Sequence, residues 1–135
     1  MNYLDTSALI RAWRLARTPA SLTRPHSLSE FYATLTRGLT VDLAGVKTRV
    51  QFSPATVAQA ARETFSKIQF VELTGEETLK ETAQAAKANI HAANIHDWMH
   101  AAAAAKAGCK KIVTTNEKHF RLVTKIPLED PAAFF

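Results

Sequence analysis

Asp5, Asp97 and Asn116 are the side chains whose types and spacing point first to chemistry. Asp5 closes a short apolar-leaning run, Asn2 to Leu4, at a strand-to-helix junction. Asn116 follows the run KIVTT, Lys111 to Thr115, which reads as a short buried strand. Asp97 falls in the first turn of an alanine-rich helix, NIHDWMHAAAAAKAG, that feeds this strand. Strands separated by helices imply crossover connections, a parallel sheet and one shared carboxyl edge. Sites in open α/β sheets form at that edge, which puts Asp5 and Asn116 side by side. Asp97 joins them only if its helix starts near the same edge, which the sequence leaves open. Carboxylates that converge repel one another, and a divalent cation relieves the repulsion. Each acid also has a plainer explanation: Asp5 as a turn or cap residue, Asp97 as a first-turn acid favoured by the helix dipole.

The elements that must position these residues follow from caps and periodicity. Thr6 or Ser7 can cap a helix from Ser7 to about Arg17, with Leu9, Ile10, Trp13 and Ala16 on one face. Thr18 to Pro25 is polar, holds two prolines and reads as a loop. A helix is expected from Ser27 to Arg37, and Ser27 with Glu30 fits the spacing of a capping box. Such a box would explain Glu30 without chemistry. Gly38 to Phe52 reads as a loop or short extended excursion on the surface, with Lys47 and Arg49 able to face a phosphate backbone. Ser53 and Pro54 open a helix to about Lys67, and a strand follows from Ile68 to Leu73. Thr74 and Glu77 make a second capping box for a helix to about Ala88. Asn94 is the expected N-cap of the alanine-rich helix, and Gly108 stands where its C-terminal cap belongs. A short extended piece, Val123 to Leu128, and an apolar tail ending Phe134-Phe135 complete the chain.

Composition excludes several classes. The 135 residues fit one domain, 1–135, with 47% hydrophobic and 21% charged residues. A net charge of +5 favours polyanionic partners. The single cysteine, Cys109, rules out an intrachain disulfide and suits a reducing cytoplasm. The N-terminus lacks a basic stretch and does not read as a signal peptide; no apolar run is long enough to span a membrane. His96 and His100 flank Asp97 and Trp98 with the i, i+4 spacing of a zinc helix. Asp is shorter than the glutamate of that motif and no third ligand follows, so this pattern is a decoy.

Four stretches resemble the PIN-domain family, which includes the ribonuclease toxins of bacterial VapBC toxin–antitoxin systems. YLDTSALI is similar to the family's opening strand with its first acid, Asp5; SLSEFYATLTRG to the helix carrying the second, Glu30. IHDWMHAAAAAKAG is similar to the helix of the third acid, Asp97, and KKIVTTNEKHF to the closing strand and turn, with Thr114, Asn116 and Phe120. The resemblance covers essentially the whole chain. It implies a three-layer α/β/α fold whose central, mostly parallel sheet has about four to five short strands flanked by helices. It also implies a Mg²⁺- or Mn²⁺-dependent endoribonuclease, an antitoxin partner, a homodimer and a cytoplasmic location. Asp5 and Asp97 are then the direct metal ligands, and Glu30 a ligand through water or a group orienting the nucleophile. Thr6, Ser7 and Thr114 are left to hold carboxylates or a phosphate. Asn116 stands where many members have a fourth acid; the amide keeps an acceptor oxygen and loses a charge, which bears on whether a second ion binds. The alternative is a non-catalytic RNA-binding or assembly module with a degraded metal site.

Overall fold

The computed structural model describes all 135 residues. Five short strands form one sheet in the order β5-β2-β1-β6-β7, and every pairing in it is parallel. They are β1 (Asn2–Leu4), β2 (Ser21–Thr23), β5 (Ile68–Phe70), β6 (Lys111–Val113) and β7 (Leu128–Glu129). Alternate residues of the central strands serve different layers, as the two-residue period demands. Leu4 and Val113 pack with Leu9, Phe31, Leu35 and Val57. Their neighbours Tyr3 and Ile112 pack with Met99, Ala103, Ala104 and Phe120. Helices α1 (Thr6–Arg14), α2 (Pro25–Arg37) and α3 (Pro54–Phe65) therefore cover one face, with α5 (Asn94–Lys106) and α6 (Glu117–Phe120) on the other. Helix α4 (Gly75–Lys87) packs on α5, and a last turn of helix, α7 (Pro131–Phe134), on α1.

This is the α/β fold with a parallel sheet and flanking helices expected from the sequence, and the differences are local. The stretch read as a loop holds β2, which pairs with both β1 and β5. Its prolines lie outside the strand, and its buried hydroxyls are satisfied: Ser21 Oγ donates to Pro19 O, and Thr23 Oγ1 to Leu4 O. The surface excursion is a β-hairpin, β3 (Leu39–Leu43) and β4 (Val46–Val50), closed by Ala44 and Gly45 at φ 53° and 83°. Two positive φ values in a two-residue turn match the right-handed twist of the strands it joins.

Cap assignments also shift. Helix α1 is capped by Asp5 itself rather than by Thr6 or Ser7. Helix α2 begins at Pro25, so Ser27 is buried inside it and there is no Ser27–Glu30 capping box. Proline at the first position supplies the start instead. Ala93, not Asn94, precedes α5, and it already has helical φ and ψ of −64° and −17°. The Thr74–Glu77 box and the Ser53 cap form as expected. Gly108, at φ 69°, ends α5: its N–H donates to Ala105 O and that of Cys109 to Ala104 O, a Schellman closure.

Strand order reverses beside β1, which has β2 on one side and β6 on the other. α1 and α2 run back antiparallel to the strands they leave, and α5 runs antiparallel to β6, the strand it feeds, so all three begin at the carboxyl edge of the sheet. The crevice at this switch point is where open α/β sheets hold their ligands.

Candidate functional site

That crevice is a cleft of about 280 Å³, and its lining includes Asp5, Thr6, Ser7, Glu30, Asp97 and Asn116. Residues from positions 5 to 116 meet because three helix starts and two strand ends share one edge. The sequence left the place of Asp97 open; α5 starts at this edge and delivers it.

Asp5 is buried and held from three directions. Its Oδ1 accepts from Ser7 Oγ at 2.6 Å and from the Ala8 N–H at 3.0 Å; its Oδ2 accepts from Thr114 Oγ1. Both hydroxyls are bridges. The Thr115 N–H donates to Ser7 Oγ and the Asn116 N–H to Thr114 Oγ1, each at 2.9 Å. The turn after β6 is thereby locked to the end of β1 through the carboxylate. Burial pushes the Asp5 carboxyl above its ordinary range, against the pull of the Ser7, Thr114 and Ala8 hydrogen bonds.

Glu30 faces the cleft from α2. Its Oε1 accepts from Thr6 Oγ1 at 3.1 Å and from His100 Nε2 at 2.8 Å. Burial works to raise this carboxyl, but the His100 hydrogen bond, the charges of His100 and His26 and the Thr6 hydroxyl outweigh it, leaving it below the ordinary glutamate value. Asp97 is pushed up, first by partial burial and then by the charges of Asp5 and Glu30, with His100 and His119 opposing. Two of the three acids thus hold protons more tightly than a free carboxylate does, chiefly because burial disfavours their charged form.

His100 is the functional neighbour that motif reading did not assign. It is buried, with Tyr3 OH 2.7 Å from Nδ1 and Glu30 on Nε2. Both ring nitrogens are committed, so the zinc-like pair His96 and His100 is not a ligand set; His96 instead stacks on His26 at 5.3 Å. A signal for His100 existed in its i+3 spacing from Asp97, which puts the two on one face of α5.

As the side chains stand, no three His, Cys, Asp or Glu groups converge on one point at ligating distance. The donor chemistry nevertheless fits a hard divalent ion. All the cleft's candidate ligand atoms are oxygens, and Mg²⁺ keeps several waters that bridge to carboxylates. A carboxylate oxygen has about two acceptor sites. Asp5 Oδ1 fills both with Ser7 and Ala8, whereas Oδ2 accepts one hydrogen bond and keeps one site. Oδ2 is the oxygen of Asp5 that is free to hold an ion.

A family model described as the PIN domain matches residues 3–126. The chain belongs to the PIN-domain family. Among solved structures, one chain of VapBC-1 from nontypeable Haemophilus influenzae is similar over 98% of this chain and 99% of its own, with TM-score 0.62 and 15% identity. At that identity the likeness is one of fold. No curated protein sequence matches the chain. No helix is long and apolar enough to cross a membrane. The PIN-domain cleft here carries three acids and the amide of Asn116.

Proposed function

We propose that this PIN-domain chain is a divalent-metal-dependent endoribonuclease that hydrolyses RNA phosphodiester bonds, and the toxin of a type II toxin–antitoxin pair. The observation that carries the reading is the gathering of Asp5, Glu30, Asp97 and Asn116 in one cleft at the switch point of the sheet. PIN domains are in general nucleases, and a chain of +5 favours a polyanionic substrate. A bound Mg²⁺ or Mn²⁺ would supply charge neutralisation at the phosphodiester and a more acidic water. Asp5, through Oδ2, and Asp97 hold the ion. Glu30 reaches it through water or orients the attacking water, and its lowered pKa keeps it an acceptor. Asn116 offers a neutral oxygen. Thr6, Ser7 and Thr114 keep the acids in place by the hydrogen bonds described above. The likeness in fold to a chain of VapBC-1 supports an antitoxin as partner; a homodimer and a cytoplasmic location complete the proposal as what the family resemblance implies.

Cleavage of a mixed RNA pool by the purified protein, with Mn²⁺ or Mg²⁺ and with EDTA, tests the reading. Metal-dependent cleavage is expected, and Asn116→Asp should tighten Mn²⁺ binding by about tenfold, since a fourth carboxylate adds charge to a site already short of it. RNA bound but never cut, under any metal condition, would favour the non-catalytic module, for which Asn116 is the supporting residue.

Metal should also change how stability depends on pH. Asp5 and Asp97 have raised values in the folded protein. Their contribution to metal-free stability is present below the ordinary aspartate range and is lost as pH rises through the raised values. Glu30 has the opposite sign: its contribution is present above the ordinary glutamate value and is lost as pH falls through the lowered one. Mn²⁺ binds the ionised acids, so the rise in thermal midpoint it gives should be largest near neutral pH and shrink on acidification. Thermal melts from pH 4 to 8, with Mn²⁺ and with EDTA, measure this; a metal-induced rise that does not depend on pH would place the ion away from these carboxylates.

A further inference from the structure

We propose that Tyr3 and His100 form a buried relay whose role is to position Glu30 against the other two acids, a reading that rests on the ribonuclease assignment above. The chain of contacts is continuous: Tyr3 OH to His100 Nδ1 at 2.7 Å, then His100 Nε2 to Glu30 Oε1 at 2.8 Å. Tyr3 is fully buried and His100 is 3% exposed, so each polar atom must find a partner inside the protein.

The carboxylate sets the donor at one end of this chain of contacts. An ionised glutamate only accepts, and at neutral pH a phenol carries its proton. Glu30 therefore takes the hydrogen of Nε2, and Nδ1 is hydrogen-bonded to the Tyr3 hydroxyl. Tyr3 holds the ring from the side opposite Glu30. The second hydrogen bond to Glu30, from Thr6, also falls on Oε1. One carboxylate oxygen is thus anchored to the protein, and Oε2 is left for the cleft.

Placement gives the relay its purpose. Tyr3 lies two residues before Asp5 on β1, and His100 lies one helical turn beyond Asp97 on α5. Glu30 is on α2, in a different layer from α5. The relay crosses from the strand that carries the first acid, through the helix that carries the third, to the side chain of the second. It fixes the separation of three carboxylates that would otherwise move apart under their own repulsion. Hydrogen bonds that orient a ligating carboxylate in this way typically carry about 10–100-fold in metal affinity or activity.

Tyr3→Phe keeps the ring and removes only the hydroxyl, and it does not touch the cleft. It should lower kcat by about tenfold at saturating Mn²⁺ and leave the KM for RNA within about twofold. His100→Leu should lose about 100-fold, and His100→Gln, which restores a donor for Glu30, should recover most of that. Adding Tyr3→Phe to His100→Leu should cost nothing more, since the relay is already broken. Unchanged kcat in Tyr3→Phe and in a folded His100→Leu overturns the proposal. A second readout is free of activity: the ¹⁵N spectrum of the His100 ring in the metal-free protein. A proton on Nε2, with the Nδ1 resonance shifting in Tyr3→Phe, supports the relay; an Nε2 without a proton, or an Nδ1 resonance unmoved by Tyr3→Phe, overturns it. This decides the relay even if the wild type cuts no RNA, an outcome that by itself removes only the ribonuclease assignment.

Discussion

Asp97→Asn should lower RNA cleavage by about 10²–10⁴-fold while raising the thermal midpoint of the metal-free protein. The two effects have one origin. Asp97 carries charge in a half-buried position beside Asp5 and Glu30, and its carboxyl is pushed up for that reason. It takes none of the protein hydrogen bonds that hold Asp5 and Glu30 in place. The amide keeps the size and shape of the side chain and removes the repulsion. The gain in midpoint should be no more than about a few degrees, because partial exposure screens the repulsion. In the proposed reading the loss of cleavage should be large, because the amide gives up the charge that would hold the ion. RNA cleavage at saturating Mn²⁺ and melts in EDTA measure both. Wild-type cleavage by Asp97→Asn would place the chemistry elsewhere. A lower midpoint would mean that the carboxylate stabilises the fold through contacts other than those seen.

Phe31→Ala should destabilise the protein by about 3–5 kcal/mol. Against a typical total of about 5–15 kcal/mol for a domain, that brings the chain close to unfolding. Phe31 is fully buried at the centre of the α1–α2–α3 layer. Its ring meets Trp13 edge-on at 6.2 Å and Phe65 at 5.4 Å. Truncation removes both contacts and leaves a void that a helix pinned at Pro25 closes poorly. The next residue back in the chain is Glu30, so repacking of α2 also disturbs the cleft, and residual activity should fall further than the folded fraction explains. Leu28→Ala is the control: it lies on the same helix with 39% of its surface exposed and should cost much less. Urea denaturation of the two variants gives the comparison, and equal losses would contradict this account of the core.

The acids of the cleft were legible in the sequence because their positions are tied to element ends. Asp5 after an apolar run and Asn116 after KIVTT mark two strand termini, and parallel topology brings such termini together. Asp97 was legible as a first-turn residue, but its aim needed the direction of α5. Glu30 carried a false local explanation, since capping-box spacing says nothing about whether a helix has already started. β2 was hidden for a related reason. Ser21-Leu22-Thr23 is polar and only three residues long, and its pairing energy comes from β1 and β5 rather than from its own pattern. For His100 the sequence offered only its spacing from Asp97; its partners, 97 and 70 residues away, could not be read.

The two hydroxyl bridges that lock the turn after β6 onto Asp5 span 108 and 109 residues of chain. Asp5 is made well before Thr114 and the Thr115 amide, which complete its surroundings. A partly synthesised chain therefore has its first acid but no cleft. Assembly of the site coincides with closure of the β1–β6 pair, so a chain cut short of β6 would hold Asp5 with neither Thr114 nor Asn116 beside it.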